Sequence, residues 1–257
     1  MLVRARVTSG LFHRQRTVLW MKLELPLSTS AADPASWPPR NSEIPFDWQK
    51  ATNEFYRDEE STTFTPTFSS ARSRLDYKYH TNLAWQRQLL QDAILERVAV
   101  ATPAAALKEE SPWIIFTAGA MGAGKGYVLT QLQELDLLNL QHFVKIDPDL
   151  LKSELPEMAG YLEFERPSAA TKLHRESTQV ADVLFEHALA KRKPILVDGS
   201  LRDVDYYTSL LKRIRDQFNY QIAILHITAD RNVIVERAQR RAQLTGRVVP
   251  NDLLELS

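Results

Sequence analysis

Four short apolar runs, separated by longer segments with apolar residues at every third or fourth position, mark the chain from residue 113 to residue 245. The runs are Ile114–Thr117, Phe143–Ile146, Ile195–Val197 and Ile222–Ile227. Short runs of this kind, rich in β-branched residues, are typical of buried strands, and the intervening periodicity is typical of helices. Strands that alternate with helices favour right-handed crossovers and a parallel sheet covered on both faces. We therefore predict a three-layer α/β fold.

The spacing predicts helices from Thr81 to about Val100, from about Ser168 to Ala190, from Val204 to Phe218 and from Asn232 to about Leu244. Residues 26–70 are instead rich in Pro, Ser and Thr, a composition that favours irregular structure. We expect an irregular or partly disordered extension at residues 1–75, held to the domain through Trp37, Phe46 and Trp48. The α/β domain is expected to occupy residues 76–257.

Composition narrows the functional class. The 32 basic residues balance 32 acidic ones, so no net field attracts nucleic acid or an anionic membrane. Cysteine is absent, which excludes disulfides and thiolate chemistry. No apolar run approaches the roughly 20 residues needed to cross a bilayer. We expect a cytoplasmic protein; the acid-free, Arg-rich residues 1–23 leave a mitochondrial location as the alternative.

A glycine-rich loop follows the first predicted strand in the stretch WIIFTAGAMGAGKGYVL, residues 113–129. Gly119, Gly124 and Lys125 have the Walker A spacing, in which backbone amides and a helix N-terminus enclose phosphates and the lysine contacts the outer ones. Gly126 stands where this motif places a Ser or Thr hydroxyl for Mg²⁺. The predicted ATP-binding residues are Gly119, Ala120, Met121, Gly122, Ala123, Gly124, Lys125, Gly126 and Tyr127.

Acidic residues follow the second and third predicted strands, where ligands bind in parallel sheets. Asp149 is the candidate base that accepts a proton from a substrate hydroxyl; Asp147 is the alternative, or it caps the following helix. Asp198 follows three aliphatic residues and is the first candidate for holding Mg²⁺. Because Gly126 has no hydroxyl, metal binding would depend more on Asp198 and Asp147.

Arginines concentrate near the end of the sequence. Arg237 and Arg241 lie four residues apart on one predicted helix face, and Arg247 follows. Guanidinium groups near a γ-phosphate would offset negative charge in the transition state. We assign this catalytic role to Arg241 and Arg247, and interpret Arg240 as part of a solvated basic face.

Together the stretches GAMGAGKG, KIDPDLLKSELPEM, VDGSLRD and RRAQLTGRVVP, in this order, resemble a zeta-toxin-type P-loop kinase over residues 112–254. The GAMGAGKG variant resembles that of the eukaryotic, particularly fungal, members. The resemblance implies an ATP- and Mg²⁺-dependent kinase, and bacterial members phosphorylate a sugar hydroxyl of UDP-N-acetylglucosamine.

By the same resemblance, Lys125 contacts the ATP phosphates, Asp149 is the base, and Arg241 and Arg247 grip phosphate. The implied substrate-binding residues are Asp149, Asp182, Ser200 and Arg202, with Glu176 as the alternative to Asp182 if the helix register differs.

Three departures from the family pattern qualify this expectation. Gly126 removes the magnesium hydroxyl, Asp182 is shorter than the usual Glu, and the sequence stops at Ser257, before a further strand that would cover the sheet edge. The alternatives are a nucleotide-binding pseudokinase that regulates a partner, and a polynucleotide or RNA-end kinase. No antitoxin-binding segment is identifiable, so the expected partner is a small molecule.

Overall fold

A four-stranded parallel sheet forms the centre of the protein. The computed structural model describes residues 46–61, 63–100 and 111–245. The strands are β1 (Trp113–Ala118), β2 (Val144–Ile146), β3 (Ile195–Val197) and β4 (Gln221–His226), in the order β2-β3-β1-β4. All three pairings are parallel, and Ile114 aligns with both Ile195 and Ile222. The predicted sheet is confirmed, and each strand lies within one or two residues of its apolar run.

Nine α-helices flank this sheet in the described residues: α1 (Thr52–Phe55), α2 (Ser69–Arg72), α3 (Trp85–Val100), α4 (Lys125–Glu134), α5 (Pro148–Glu154), α6 (Glu157–Lys172), α7 (His174–Ala190), α8 (Val204–Gln217) and α9 (Arg231–Thr245). Two 3₁₀ turns, Pro66–Phe68 and Leu140–His142, complete the regular structure there. Within the same ranges, no helix combines the length and apolar character that a membrane span requires.

Helix α7 is the central packing element. It contacts β2 and β3 on one side and α2, α3, α5 and α6 on others. Val183, Leu184 and Leu189 are completely buried, and they lie in one apolar cluster with Ile114, Phe116 and other strand residues. The stability of α7 therefore comes more from these tertiary contacts than from the intrinsic helix propensity of its residues.

The single helix predicted from Ser168 to Ala190 is wrong, because two helices occupy this region. The break falls at Leu173, which is fully buried and separates α6 from α7. Helix α6 also has a non-helical residue at Glu165 (φ −154°, ψ 81°), two positions before Pro167. Proline has no N–H to donate to the preceding turn, so it interrupts the hydrogen-bond ladder there.

The segment from Phe46 to Leu75 contains α1, α2 and a 3₁₀ turn, and part of it enters the core. Phe68 and Ala71 are buried, and Phe46 and Trp48 pack against the main apolar cluster, as predicted. A Cβ on Gly160 would lie 1.9 Å from the Trp48 ring, so only glycine accepts this ring on α6. Trp37 lies outside the described residues, and the boundary at residue 75 stays a prediction.

A buried ionic network joins α3 to α6 and α7. The Arg87 guanidinium donates to Glu176 at 2.7 Å and to Glu157 at 2.8 Å, and all three side chains are fully buried. The Tyr56 hydroxyl donates to Glu157 at 2.7 Å, and the Gln91 amide donates to Glu176 at 2.9 Å. Burial alone would raise the pKa of Glu176, but the Arg87 charge and the hydrogen bonds hold that pKa below its usual value. One cation therefore pairs with two buried carboxylates and favours the charged form of Glu176.

Substituting Arg87→Met should lower the free energy of unfolding by about 3–5 kcal/mol, because two carboxylates would be left buried without their cation. Chemical denaturation measures this loss. The matched control is Arg97→Met, on the same helix, which breaks a half-exposed pair with Glu154 and should cost less than about 1 kcal/mol. Equal losses in the two variants would contradict a stabilising role for the network.

Candidate active site

The loop between β1 and α4 has the backbone geometry of a phosphate cradle. Gly119, Gly122 and Gly124 have φ values of 134°, 94° and 96°, a region that side chains rarely occupy. At Gly119 a Cβ would lie 2.1 Å from the Ile227 carbonyl oxygen. Glycine is therefore required there both by conformation and by the close approach of the chain after β4.

Lys125 is the first residue of α4, and its ammonium lies over this loop. Nζ donates to the carbonyl oxygens of Gly119 at 2.8 Å and of Ala120 at 3.1 Å. Below the loop, the side chains of Ala120 and Ala123 are buried with Ile227. The loop is thus anchored by apolar contacts on its inner side, while the helix N-terminus and a lysine supply positive charge.

The other strand-end residues lie at the same edge of the sheet. The amide of Gly119 donates to the Ser200 carbonyl at 3.3 Å, which connects the phosphate loop to the loop after β3. Thr117 Oγ1 lies 3.0 Å from Asp198 Oδ1, and the Asp198 amide donates to Ile146 at the end of β2. Hydrogen bonds therefore link the ends of β1, β2 and β3 directly.

Lys145 lies between the two candidate metal ligands. Its ammonium is 2.8 Å from Asp147 Oδ2 and 3.3 Å from Asp198 Oδ2. Burial opposes the charge on this lysine, but Asp147 and Asp198 raise its pKa above the ordinary value. The sequence analysis gave Lys145 no role, although this lysine begins the stretch KIDPDLLKSELPEM, because spacing along one strand does not show that Asp198 lies beside it.

Asp147 has the capping role that the sequence left open. Its Oδ1 accepts the amides of Asp149 and Leu150 at the start of α5, and its Oδ2 binds Lys145. Both oxygens are therefore engaged, and no cluster of three or more potential ligands for a metal occurs within the described ranges. The oxygens of Asp198 are engaged as well, but by the side chains of Thr117 and Lys145 and not by a helix N-terminus. Mg²⁺ is commonly bound through one or two carboxylates together with substrate phosphates, so Asp198 stays the first candidate for holding this ion.

Asp149 lies in the first turn of α5 with its side chain 42% exposed, and Lys152 Nζ is 3.3 Å from its Oδ1. His174, the first residue of α7, is close enough for its pKa to respond to both groups. Burial and Lys152 lower the pKa of His174, and Asp149 acts in the opposite direction. The candidate base is accessible to solvent and has a lysine beside it.

The substrate-side residues are divided between α7 and the loop after β3. Asp182 is partly exposed and binds His80, whereas Ser200 and Arg202 are exposed in the loop. Glu176, the alternative to Asp182, is completely buried against Arg87. The greater exposure of Asp182 favours it over Glu176 as the residue that a substrate can reach.

Of the arginines near the end of the sequence, the structure brings Arg237 to the phosphate loop. Its Nη1 lies 3.3 Å from the position that a Cβ on Gly124 would occupy. Arg241 lies one turn further along α9, and Arg247 lies outside the described residues. The sequence analysis placed Arg237 on the same helix face as Arg241 but assigned it no catalytic role. The four-residue spacing between the two arginines was the signal that could have indicated one.

A parallel sheet with a glycine–lysine phosphate loop after its central strand defines the fold of a P-loop kinase. The chain belongs to the Zeta toxin family, whose model matches residues 95–256. The resemblance stated from the sequence is confirmed. A comparison with curated protein sequences gave no match.

Solved structures agree on the fold. The PezAT toxin–antitoxin system of Streptococcus pneumoniae gives a TM-score of 0.52 at 16% identity, over 62% of this chain and 64% of that chain. The AvrRxo1-ORF1:AvrRxo1-ORF2 complex with sulphate ions gives 0.56 at 19% identity, over 80% and 63%. The same complex with ATP gives 0.52 at 16% identity, over 80% and 63%. This chain thus spans less than two thirds of the length of these neighbours.

Substituting Gly119→Ala should lower the free energy of unfolding by about 3 kcal/mol or more, because a Cβ would overlap a backbone oxygen at a strained φ. Gly126→Ala is the matched control, since a Cβ there meets nothing within 4 Å. In a helix this control should be neutral or stabilising by up to about 1 kcal/mol. Thermal unfolding of both variants measures the difference, and a tolerated Gly119→Ala would contradict the described loop geometry.

Proposed function

We propose that the protein transfers the γ-phosphoryl group of ATP to a hydroxyl of a small molecule, with a nucleotide sugar such as UDP-N-acetylglucosamine as the leading candidate. The observation that carries the proposal is the meeting of three elements at one sheet edge. These are the phosphate loop with Lys125, the loop after β3 with Asp198, and the start of α5 with Asp149. Phosphoryl transfer requires such positioning and charge compensation more than covalent chemistry.

In this reaction, the loop amides and the N-terminus of α4 hold the β- and γ-phosphates, and Lys125 leaves its carbonyl partners to bind them. The acceptor oxygen forms a bond to the γ-phosphorus while the bond to the bridging oxygen of ADP breaks. Asp149 takes the proton of the acceptor hydroxyl. Asp198 would hold Mg²⁺, which would offset the negative charge of the phosphates when bound.

Arginines from α9 complete the charge compensation. Arg237 lies over the phosphate loop, and we propose that Arg241 and Arg247 act with it on the transferred phosphate. Asp182, Ser200 and Arg202 are proposed to bind the acceptor, since a carboxylate, a hydroxyl and a guanidinium can together recognise sugar hydroxyls and a diphosphate. The family and the fold shared with an ATP complex support the nucleotide.

Gly126 favours a second candidate, a nucleotide-binding protein that regulates a partner without turnover. It removes the hydroxyl that P-loop kinases use for Mg²⁺. One structural neighbour belongs to a toxin–antitoxin system and another to a two-protein complex, so a protein partner is a further proposal for this chain. ATP binding without acceptor phosphorylation would select this candidate. A labelled oligonucleotide among the acceptors tests the polynucleotide kinase alternative.

Replacing Lys125 with Ala should lower turnover by at least about 100-fold, because a charge that stabilises the transition state is lost. Asp149→Asn should lower turnover by about 100-fold to 10,000-fold through loss of the base. Only Lys125→Ala should also weaken ATP binding, which calorimetry measures beside a mass-spectrometric assay of the phosphorylated product. The exposed residues Lys212 and Asp216, changed to Ala and Asn, are the controls. Normal turnover in a site variant would remove that residue's assigned role.

For α9, Arg237→Gln should lower kcat by about 100-fold or more, because the guanidinium compensates charge that develops on the transferred group. Arg240→Gln is the matched control on the same helix, and its exposed side chain should not affect kcat. Pre-steady-state product formation separates this effect from product release. Equal rates in the two variants would mean that Arg237 belongs to the solvated face.

A further inference from the structure

A short segment before α3, residues 76–84, packs against α7 and precedes the region that the family model matches, residues 95–256. Its first part is a well-defined turn. The amides of Tyr79 and His80 donate to the Asp76 carbonyl at 3.0 and 2.8 Å, and the Lys78 amide donates to the Asp76 side chain at 2.9 Å. The turn fixes the backbone from which the His80 side chain extends.

Three side chains of α7 hold this segment. Arg175, Gln179 and Asp182 are spaced four and three residues apart, so they share one helix face. The Arg175 guanidinium lies 5.2 Å from the centre of the Tyr79 ring. The Gln179 amide both accepts from and donates to the backbone of residue 81, at 3.3 and 2.9 Å. The segment is therefore tethered on both sides of His80.

His80 makes the third of these contacts, to Asp182. Its Nε2 lies 3.0 Å from Asp182 Oδ2. The imidazole is only 5% exposed, whereas the carboxylate is 27% exposed. An ionised carboxylate only accepts, so His80 donates through Nε2–H. The histidine thus supports the carboxylate from inside, while the carboxylate reaches the surface.

Two tyrosines at the start of α8, Tyr206 and Tyr207, are close enough to Asp182 for its charge to act on them. Burial first, and then the charge of Asp182, raise the pKa of both phenols. The Tyr207 hydroxyl in turn lies 3.3 Å from the position of a Cβ on Gly199. Tyr207 therefore lies between Asp182, which binds His80, and the loop that contains Asp198 and Ser200.

We propose that His80 is a positioning residue for the phosphate acceptor: it fixes the carboxylate of Asp182 in the orientation that accepts hydrogen bonds from sugar hydroxyls. This inference rests on the proposed function, in which Asp182 binds the acceptor. It adds residues 76–84 to the functional unit, although they lie outside the family match. A carboxylate that is already held in its binding orientation lowers the entropic cost of binding a polyhydroxyl ligand.

Such a role predicts an effect on acceptor binding and none on ATP binding, since His80 supports only the acceptor side. The full chain should be assayed with UDP-N-acetylglucosamine as the acceptor probe, varying it and ATP separately. His80→Leu should raise the acceptor KM roughly tenfold, the loss expected for a hydrogen bond to a charged group, and leave the ATP KM unchanged. His80→Gln places a donor N–H at a similar reach and should recover most of this loss.

Arg175→Gln is the matched control, because it removes another contact between α7 and the same segment without touching Asp182. It should match the unsubstituted protein in both KM values, and thermal unfolding of all variants reports their folded fraction.

A rise in both KM values, or no recovery with His80→Gln, would indicate that the pair is purely structural and would overturn the inference. If the unsubstituted protein phosphorylates the probe and His80→Leu matches it, only this inference fails. If that protein binds Mg-ATP but does not phosphorylate the probe, the proposed acceptor fails and the inference with it.

Discussion

Parallel pairing of β1 with both of its neighbours is the constraint on which the site depends. In a parallel sheet all carboxyl ends point the same way, so the segments that follow β1, β2 and β3 must emerge at one edge. These segments are direct neighbours. Phe116 of β1 is aligned with Val197 of β3, and the Asp198 amide after β3 donates to the Ile146 carbonyl at the end of β2. A nucleotide phosphate tail and a catalytic carboxylate can then be neighbours without any long connection.

Charge at this edge is balanced internally before any ligand binds. Lys145 lies between Asp147 and Asp198, and Lys125 rests on carbonyl oxygens of its own loop. Under the proposed function, each cation could exchange its present partner for phosphate oxygens by a side-chain movement. Reorganisation that is avoided at the reacting centre favours the transition state.

Local signals in the sequence predicted the strands, the phosphate loop and the family. The apolar run at Ile195–Val197 coincides with β3, and the loop required glycine wherever the backbone turned to positive φ. Other features depend on tertiary contacts and have no local signal. Arg87 looks like a surface residue of an ordinary helix, and only the packing of α6 and α7 around it makes it a buried cation. The break at Leu173 was missed for a related reason, since apolar spacing continues across it.

Candidate site residues were predictable where chemistry needs a fixed spacing, as at Gly119 and Lys125. They were not predictable where a contact crosses between distant segments. His80 and Asp182 are 102 residues apart, and nothing in the sequence pairs them. Arg237 was visible as one of several arginines, but its choice over Arg240 depends on the rotation of α9 over the phosphate loop.

The burial of Arg87 also affects where this protein can be shortened. The match to the family model begins at residue 95, eight positions after this arginine, and both of its acidic partners lie inside the matched region. A protein trimmed to the matched region would keep two interior anions and discard the group that neutralises them.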